Sequence, residues 1–130
     1  MIACVATHEG RFGTSAARLQ VIKNEPLGLD IPQVCRHCPD APCVAACPER
    51  ALRQDPASGA LLLDADLCQG CGDCASACPW GVLAVRAPDG GADDPLWGLP
   101  LVCDLCGGNP ACARRCSTGA LQYTQDGCQP

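Results

Sequence analysis

Apolar positions in this chain come in short runs, and most of them follow a group of cysteines. Residues 51–54 and 60–63 read as two strands, joined by the turn Asp55-Pro56-Ala57-Ser58-Gly59. Residues 19–23, 82–86 and 121–124 predict further strands, and single-turn helices are expected over the last two cysteines of each group, as from Cys43 to Cys47. Residues 24–32 and 87–100 stand apart as loops; the second contains Asp89-Gly90-Gly91-Ala92-Asp93-Asp94-Pro95, too polar and glycine-rich for a core element. A surface loop is the plain reading, contact with a partner the sharper one. Met1 to Ala6 is apolar but is cut short by His8, Glu9 and Arg11. No run approaches the roughly 18 residues needed to span a bilayer, so a soluble, cytoplasmic chain is expected, associated with a membrane only through a complex.

The runs close a unit that occurs three times. It ends Cys47-Pro48-Glu49-Arg50-Ala51-Leu52, then Cys78-Pro79-Trp80-Gly81-Val82-Leu83, then Cys116-Ser117-Thr118-Gly119-Ala120-Leu121. The first cysteines, Cys35, Cys68 and Cys103, lie 33 and 35 residues apart, the self-similarity left by duplication of a supersecondary unit.

Composition turns this repeat into chemistry. Fourteen of 130 residues are cysteine, whereas Phe and Tyr occur once each and Trp twice. The usual aromatic filling of a core is missing, and small scaffolds of this kind are held by disulfides or metal. Disulfides need an oxidising compartment, and no basic segment precedes the apolar start to direct export. Net charge is −5 with only 9 Lys and Arg, scattered from Arg11 to Arg115. Phosphate binding relies on clustered positive charge, so a nucleic-acid partner is excluded.

Spacing decides which metal. The middle unit is Cys68-x2-Cys71-x2-Cys74-x3-Cys78-Pro79, the run of [4Fe–4S] ferredoxins, in which three close cysteines grip one cluster and the fourth reaches another. Gly70 and Gly72 let the backbone approach and take positive φ. The first unit, Cys35-x2-Cys38-x4-Cys43-x3-Cys47-Pro48, widens one gap through Pro39-Asp40-Ala41-Pro42. By the crossed rule, Cys35, Cys38 and Cys43 bind one cluster with Cys78, and Cys68, Cys71 and Cys74 bind another with Cys47. The loop Cys103-x2-Cys106-x5-Cys112 grips a third. Zinc would use two Cys-x2-Cys pairs, not runs of four with Cys-Pro endings. The Cys-x3-Cys-x2-Cys spacing of radical enzymes is absent from the chain. His37, between two cysteines, reads as loop filler rather than a ligand, His8 as a turn or hydrogen-bonding residue, and Trp80 as packed over a cluster. Asp64, Asp66 and Asp73 read as solvated faces and caps.

Cys35-Arg36-His37-Cys38, Cys68-Gln69-Gly70-Cys71-Gly72-Asp73-Cys74 and Cys103-Asp104-Leu105-Cys106 together resemble the polyferredoxin subunits of oxidoreductase complexes. These are the electron-transfer partners of dimethyl sulfoxide reductase, formate hydrogenlyase and carbon monoxide dehydrogenase-linked hydrogenases. Ala3-Cys4-Val5-Ala6-Thr7-His8-Glu9-Gly10-Arg11-Phe12, with Ala17-Arg18-Leu19-Gln20-Val21, is similar to the branch accompanying tungsten-pterin enzymes of the aldehyde:ferredoxin oxidoreductase type, such as benzoyl-CoA reductase. The family begins with a complete four-cysteine motif, of which this chain keeps only Cys4, so three [4Fe–4S] clusters are expected rather than four. The resemblance implies that Cys4 supplies the fourth thiolate to Cys103, Cys106 and Cys112, leaving Cys116 free and Cys128 a bystander. The alternative is that Cys116 closes that cluster itself.

The resemblance further implies an α+β, loop-rich, ferredoxin-like fold in one domain over 1–130. Residues 33–86 would form a dicluster core, and 1–23 with 101–124 the second cluster-binding half. The expected role is non-catalytic: relaying single electrons to or from a larger pterin-tungsten or molybdenum subunit, with a further redox subunit or ferredoxin as a second partner. A free-standing ferredoxin shuttle and a hydrogenase subunit are the alternatives.

Overall fold

Three single turns of helix each carry a cysteine at their second position. The structure, a computed structural model, describes residues 1–86 and 97–124. Its elements are α1 (Ile2–Glu9), β1 (Leu19–Asn24), β2 (Leu29–Val34), α2 (Pro42–Ala45), β3 (Leu52–Gln54), β4 (Leu61–Leu63), α3 (Asp73–Ser76), β5 (Ala84–Val85), β6 (Pro100–Leu101) and α4 (Ala111–Arg114). Helices of four residues are far too short to persist alone. Each is closed by the fourth cysteine of its unit, whose N–H reaches back into the turn: Cys47 to Val44, Cys78 to Ala75 and Cys116 to Ala113, at 3.2, 3.3 and 3.2 Å. The fourth cysteines therefore lie just beyond the helices, not within them as the sequence suggested.

The strands form three antiparallel pairs, β1–β2, β3–β4 and β5–β6. β3 and β4 agree with expectation to within a residue, and Leu52 faces Leu63 across the pair. Their turn is held by Asp55, whose carboxylate accepts from the Ser58 N–H at 2.9 Å and from the Ser58 hydroxyl. Three readings need correction. Residues 24–32 are not a loop: they hold the end of β1, a 3-10 turn at Glu25–Leu27 and most of β2, with Leu19 opposite Val34. The strand at 82–86 shrinks to β5, paired with Pro100–Leu101. No strand forms at 121–124, where the chain instead turns on Thr118, whose hydroxyl accepts the Ala120 N–H at 3.4 Å. Favourable β residues without a neighbouring strand do not make a sheet. Of the expected loop at 87–100, residues 87–96 lie outside the described residues, as does Cys128.

Two buried groups hold these pieces. One joins Leu52, Leu61, Leu83 and Val102 to Cys43 and Cys74. The other gathers Cys4 and Val5 of α1 with Ala16, Ala17 and Leu19, against which Val34 and Cys112 pack. An ion pair spans from the end of α1 to the end of β5: Arg86 meets both oxygens of Glu9 at 3.1 and 2.8 Å, and both side chains are nearly buried. Among the described residues no helix is long and apolar enough to cross a membrane.

Candidate metal centres

The backbone repeats what the cysteine spacing repeats. The residue before the second cysteine is left-handed in all three units: His37 at φ 47°, Gly70 at 68° and Leu105 at 56°. Glycine takes this conformation freely, whereas His and Leu are strained in it, and such strain collects where a chain must present its backbone to a ligand. Three residues after the fourth cysteine the same happens at Arg50, Gly81 and Gly119. Each of these donates its N–H to that cysteine's carbonyl, at 3.3, 3.1 and 3.3 Å.

Cysteines of different units converge. Cys35, Cys38, Cys43 and Cys78 line one cleft of about 350 Å³, measured to its open mouth, with Leu61, Val82 and Leu83. Cys47, Cys68, Cys71 and Cys74 line a second of about 410 Å³, with Leu52, Leu63 and Val85. In each, three cysteines come from one unit and the fourth from the other. Trp80, half-exposed, lies at the first cleft, and the Arg36 guanidinium stacks 4.7 Å from its ring centroid. His37 belongs to the same wall, and its Nδ1–H donates to the Gly59 carbonyl at 3.0 Å. That tie to the 55–59 turn accounts for a histidine in the loop without making it a ligand.

A third group forms around α1. Cys112 packs against the buried group that holds Cys4. Ionisation of Cys106 or Cys112 would raise the Cys4 thiol, ionisation of Cys35, Cys112 or Cys4 would raise Cys103, and ionisation of Cys43 would raise Cys74. Cys116 lies one residue beyond the α4 C-cap, Arg115, and its N–H donates to the Ala113 carbonyl at 3.2 Å. Its thiol meets the Thr118 hydroxyl at 3.5 Å.

Burial raises the thiols of Cys4, Cys43, Cys74 and Cys112 above their ordinary range, and pushes Cys103 to about 12. A thiol that resists ionising in an apolar wall becomes a thiolate ligand when a cation supplies the charge. Cys116 goes the other way: the Thr118 hydroxyl and nearby backbone lower it to about 7. Sets of four sulfurs in apolar clefts fit an iron–sulfur cubane, whose four irons each take one thiolate.

Two residues flank the third group. His8, read as a turn or hydrogen-bonding residue, lies in α1 with Nε2 3.4 Å from Cys106 Sγ and 3.4 Å from the Asp104 carboxylate. Arg18, to which the sequence assigned no role, donates its backbone N–H to Cys4 Sγ at 3.4 Å. His8 had one available signal: it stands four residues after Cys4, on the same face of a helix.

Comparison with known proteins points the same way. Residues 29–127 match a family described as "4Fe-4S dicluster domain". The chain is 39% identical over 89 residues to the "Aliphatic sulfonate oxidoreductase, polyferredoxin-like subunit" of Pyrococcus furiosus, covering 68% of this chain and 51% of that protein. It is 41% identical over 81 residues to "Formate hydrogenlyase subunit 2" of Escherichia coli, covering 62% and 38%. It is likewise 41% identical over 90 residues to "Protein NrfC" of Escherichia coli, covering 63% and 39%. The chain thus spans about half or less of the length of these curated relatives.

Proposed function

Since the chain belongs to the 4Fe-4S dicluster domain family, we propose that it is an electron-transfer subunit that relays single electrons through three [4Fe–4S] centres to or from a larger oxidoreductase subunit. The observation that carries this reading is the convergence of cysteines from different units at the two clefts, Cys35, Cys38 and Cys43 with Cys78, and Cys68, Cys71 and Cys74 with Cys47. Crossing makes the two sites neighbours by construction, which suits a relay and has no use in an isolated structural site. A [4Fe–4S] group, when bound, supplies one-electron chemistry at a potential set by hydrogen bonds, charge and exposure.

The rest belongs to the chain. Leu52, Leu61, Leu63, Val82, Val85 and Leu83 set apolar surface beside the sulfurs in the two clefts. The left-handed turns at His37, Gly70 and Leu105 set the loops that carry the cysteines. The third centre takes Cys103, Cys106 and Cys112 with Cys4, and the sequence of charges felt by Cys74, Cys43, Cys35 and Cys103 supports a row with the Cys35 centre in the middle. Residues 33–86 then form the dicluster core, and 1–23 with 101–124 the second half. No substrate chemistry is assigned to any side chain.

The partner is a pterin enzyme carrying tungsten or molybdenum, an assignment that rests on the amino-terminal segment 3–12 with 17–21. The names of the relatives, subunits of a sulfonate oxidoreductase and of formate hydrogenlyase among them, support a partner of oxidoreductase type.

Iron and acid-labile sulfide in anaerobically prepared protein test the centre count. The expected value is about 12 iron atoms per chain, four for each of three clusters. A value near 8 or near 16 sinks the three-centre reading. Pull-down from the native source with metal analysis tests the partner, and recovery alone or with a nickel–iron hydrogenase refutes the tungsten assignment.

A further inference from the structure

We propose that Arg18 holds a partly buried positive charge beside the third centre and sets its reduction potential above those of the other two. The inference rests on the reading of Cys4, Cys103, Cys106 and Cys112 as that centre.

Arg18 is an anomaly in the structure as it stands. Its Nε and Nη1 are shielded from solvent and have no hydrogen-bond partner. A guanidinium stripped of water and left unpaired is costly, and a native fold retains one only where something satisfies it. What lies beside it is Cys4. The Arg18 backbone N–H donates to Cys4 Sγ at 3.4 Å, which sets the residue beside that sulfur, and the charge of its guanidinium favours the ionised form of the thiol. Arginine cannot shed its proton, so the positive charge is permanent. The thiolates of a loaded site supply the negative charge these N–H groups lack.

Reduction adds one electron and so one negative charge. A cation close by, in a dry setting, stabilises the reduced state more than the oxidised one and raises the potential. A second donor acts in the same direction: His8 Nε2 stands 3.4 Å from Cys106 Sγ. Asp104 opposes it, since its carboxylate lies 3.4 Å from the same nitrogen, but that side chain is 35% exposed and water screens it.

Among the described residues, neither of the other two clefts is lined by a cation with shielded, unpartnered nitrogens. Arg36 borders the first cleft, but its guanidinium is stacked on the half-exposed Trp80 ring. The charged residue at the second cleft is Glu49, whose sign is opposite. The asymmetry makes the third centre the electron sink of the chain.

The test is an EPR-monitored redox titration of the anaerobic holoprotein, compared with Arg18→Met and Arg18→Lys. The third centre is identified as the one missing in Cys4→Ala. Arg18→Met should lower its reduced-to-oxidised ratio about tenfold at a fixed potential, about 59 mV for a one-electron couple. Arg18→Lys should restore most of the shift, and the other two midpoints should stay in place. Unchanged midpoints with the third centre present, or an equal shift of all three, overturn the proposal. Iron near 8 atoms in the unaltered protein is a different failure, that of the third centre itself. Should Arg18→Met shed iron, unaltered protein labelled with guanidino-¹⁵N arginine decides. Pulsed EPR of the reduced third centre should then show nitrogen coupling from the label, and its absence rejects the role of Arg18.

Discussion

Replacing Arg86 by Met should loosen the third centre before it disturbs the other two. Arg86 is 7% exposed and its partner Glu9 11%, and two hydrogen bonds of 3.1 and 2.8 Å join them. Exposed pairs contribute roughly 0–1 kcal/mol. This one is buried and bidentate, so removal of one member leaves the other as an uncompensated charge, at a cost of about 3–5 kcal/mol. Glu9 ends α1, the helix that carries Cys4 and His8, whereas Arg86 follows β5. The loss therefore falls on the joint between the amino-terminal helix and the dicluster core.

Unfolding of a metal protein is seldom a reversible two-state process, so a rate is the proper observable. At 1.36 kcal/mol per tenfold, a loss of about 3 kcal/mol accelerates bleaching of the visible absorbance in guanidinium by up to about 100-fold. EPR during the time course should show the third signal fading first. The double variant Glu9→Leu/Arg86→Met removes both charges and should return most of the stability, because an apolar pair of similar volume often matches a buried ion pair. A single variant that bleaches no faster than the unaltered protein, or a double variant as weak as the single, refutes the reasoning.

Cys4→Ala should lower iron from about 12 to about 8 atoms per chain, while Cys116→Ala leaves it intact; the reverse result in iron analysis assigns the fourth thiolate to Cys116. Gly70→Ala should weaken the centre of Cys68, Cys71 and Cys74. The new methyl would lie 3.1 Å from the Gly98 carbonyl at a φ of 68°, and left-handed backbone alone costs roughly 1–2 kcal/mol for a non-glycine residue. Iron retention equal to that of the parent counts against it. Cys116 should be alkylated by iodoacetamide with a rate that rises with pH about a midpoint near 7, since the thiolate is the reacting form. Thr118→Ala should move that midpoint upward, and peptide mapping that finds Cys116 unlabelled rejects the free-thiol assignment.

The parts that were legible in the sequence are those where chemistry fixes spacing. The eight cysteines from Cys35 to Cys78 could be grouped into the two sets of four that line the clefts, because a cubane needs four thiolates and a tight loop supplies only three. The β3–β4 hairpin was legible because a strong turn separates two apolar runs. Strand β1 was read at 19–23, but its partner β2 was not, since Leu29 and Ile31 are exposed, like Val21 and Ile22 across from them, and leave no alternation of buried and open positions. Pro26, Gly28 and Pro32 then read as loop. Helix α1 was hidden for another reason: no side chain caps its start, and only Gly10, left-handed at φ 63°, marks its end. With the helix unseen, the i, i+4 spacing of His8 from Cys4 could not be used to place it beside Cys106, 98 residues away.

The same asymmetry says what holds the molecule together. Among the described residues, two small apolar groups and three two-stranded antiparallel pairs offer little burial. Five of the cysteines in the walls have thiols raised by burial, so without metal the charged ligand form is disfavoured in the very fold that gathers it. The ligation energy must then stabilise the fold as well as bind the metal, as in other small metal domains. That dependence is greatest at Cys103, pushed to about 12, whose carbonyl also accepts the Leu61 N–H at 3.1 Å. One residue thus joins β4 of the dicluster core to the third loop through its backbone, and asks for iron through its sulfur. On this reading the third loop docks on the core as its centre is filled, and the ion pair between Glu9 and Arg86 holds the helix that completes it.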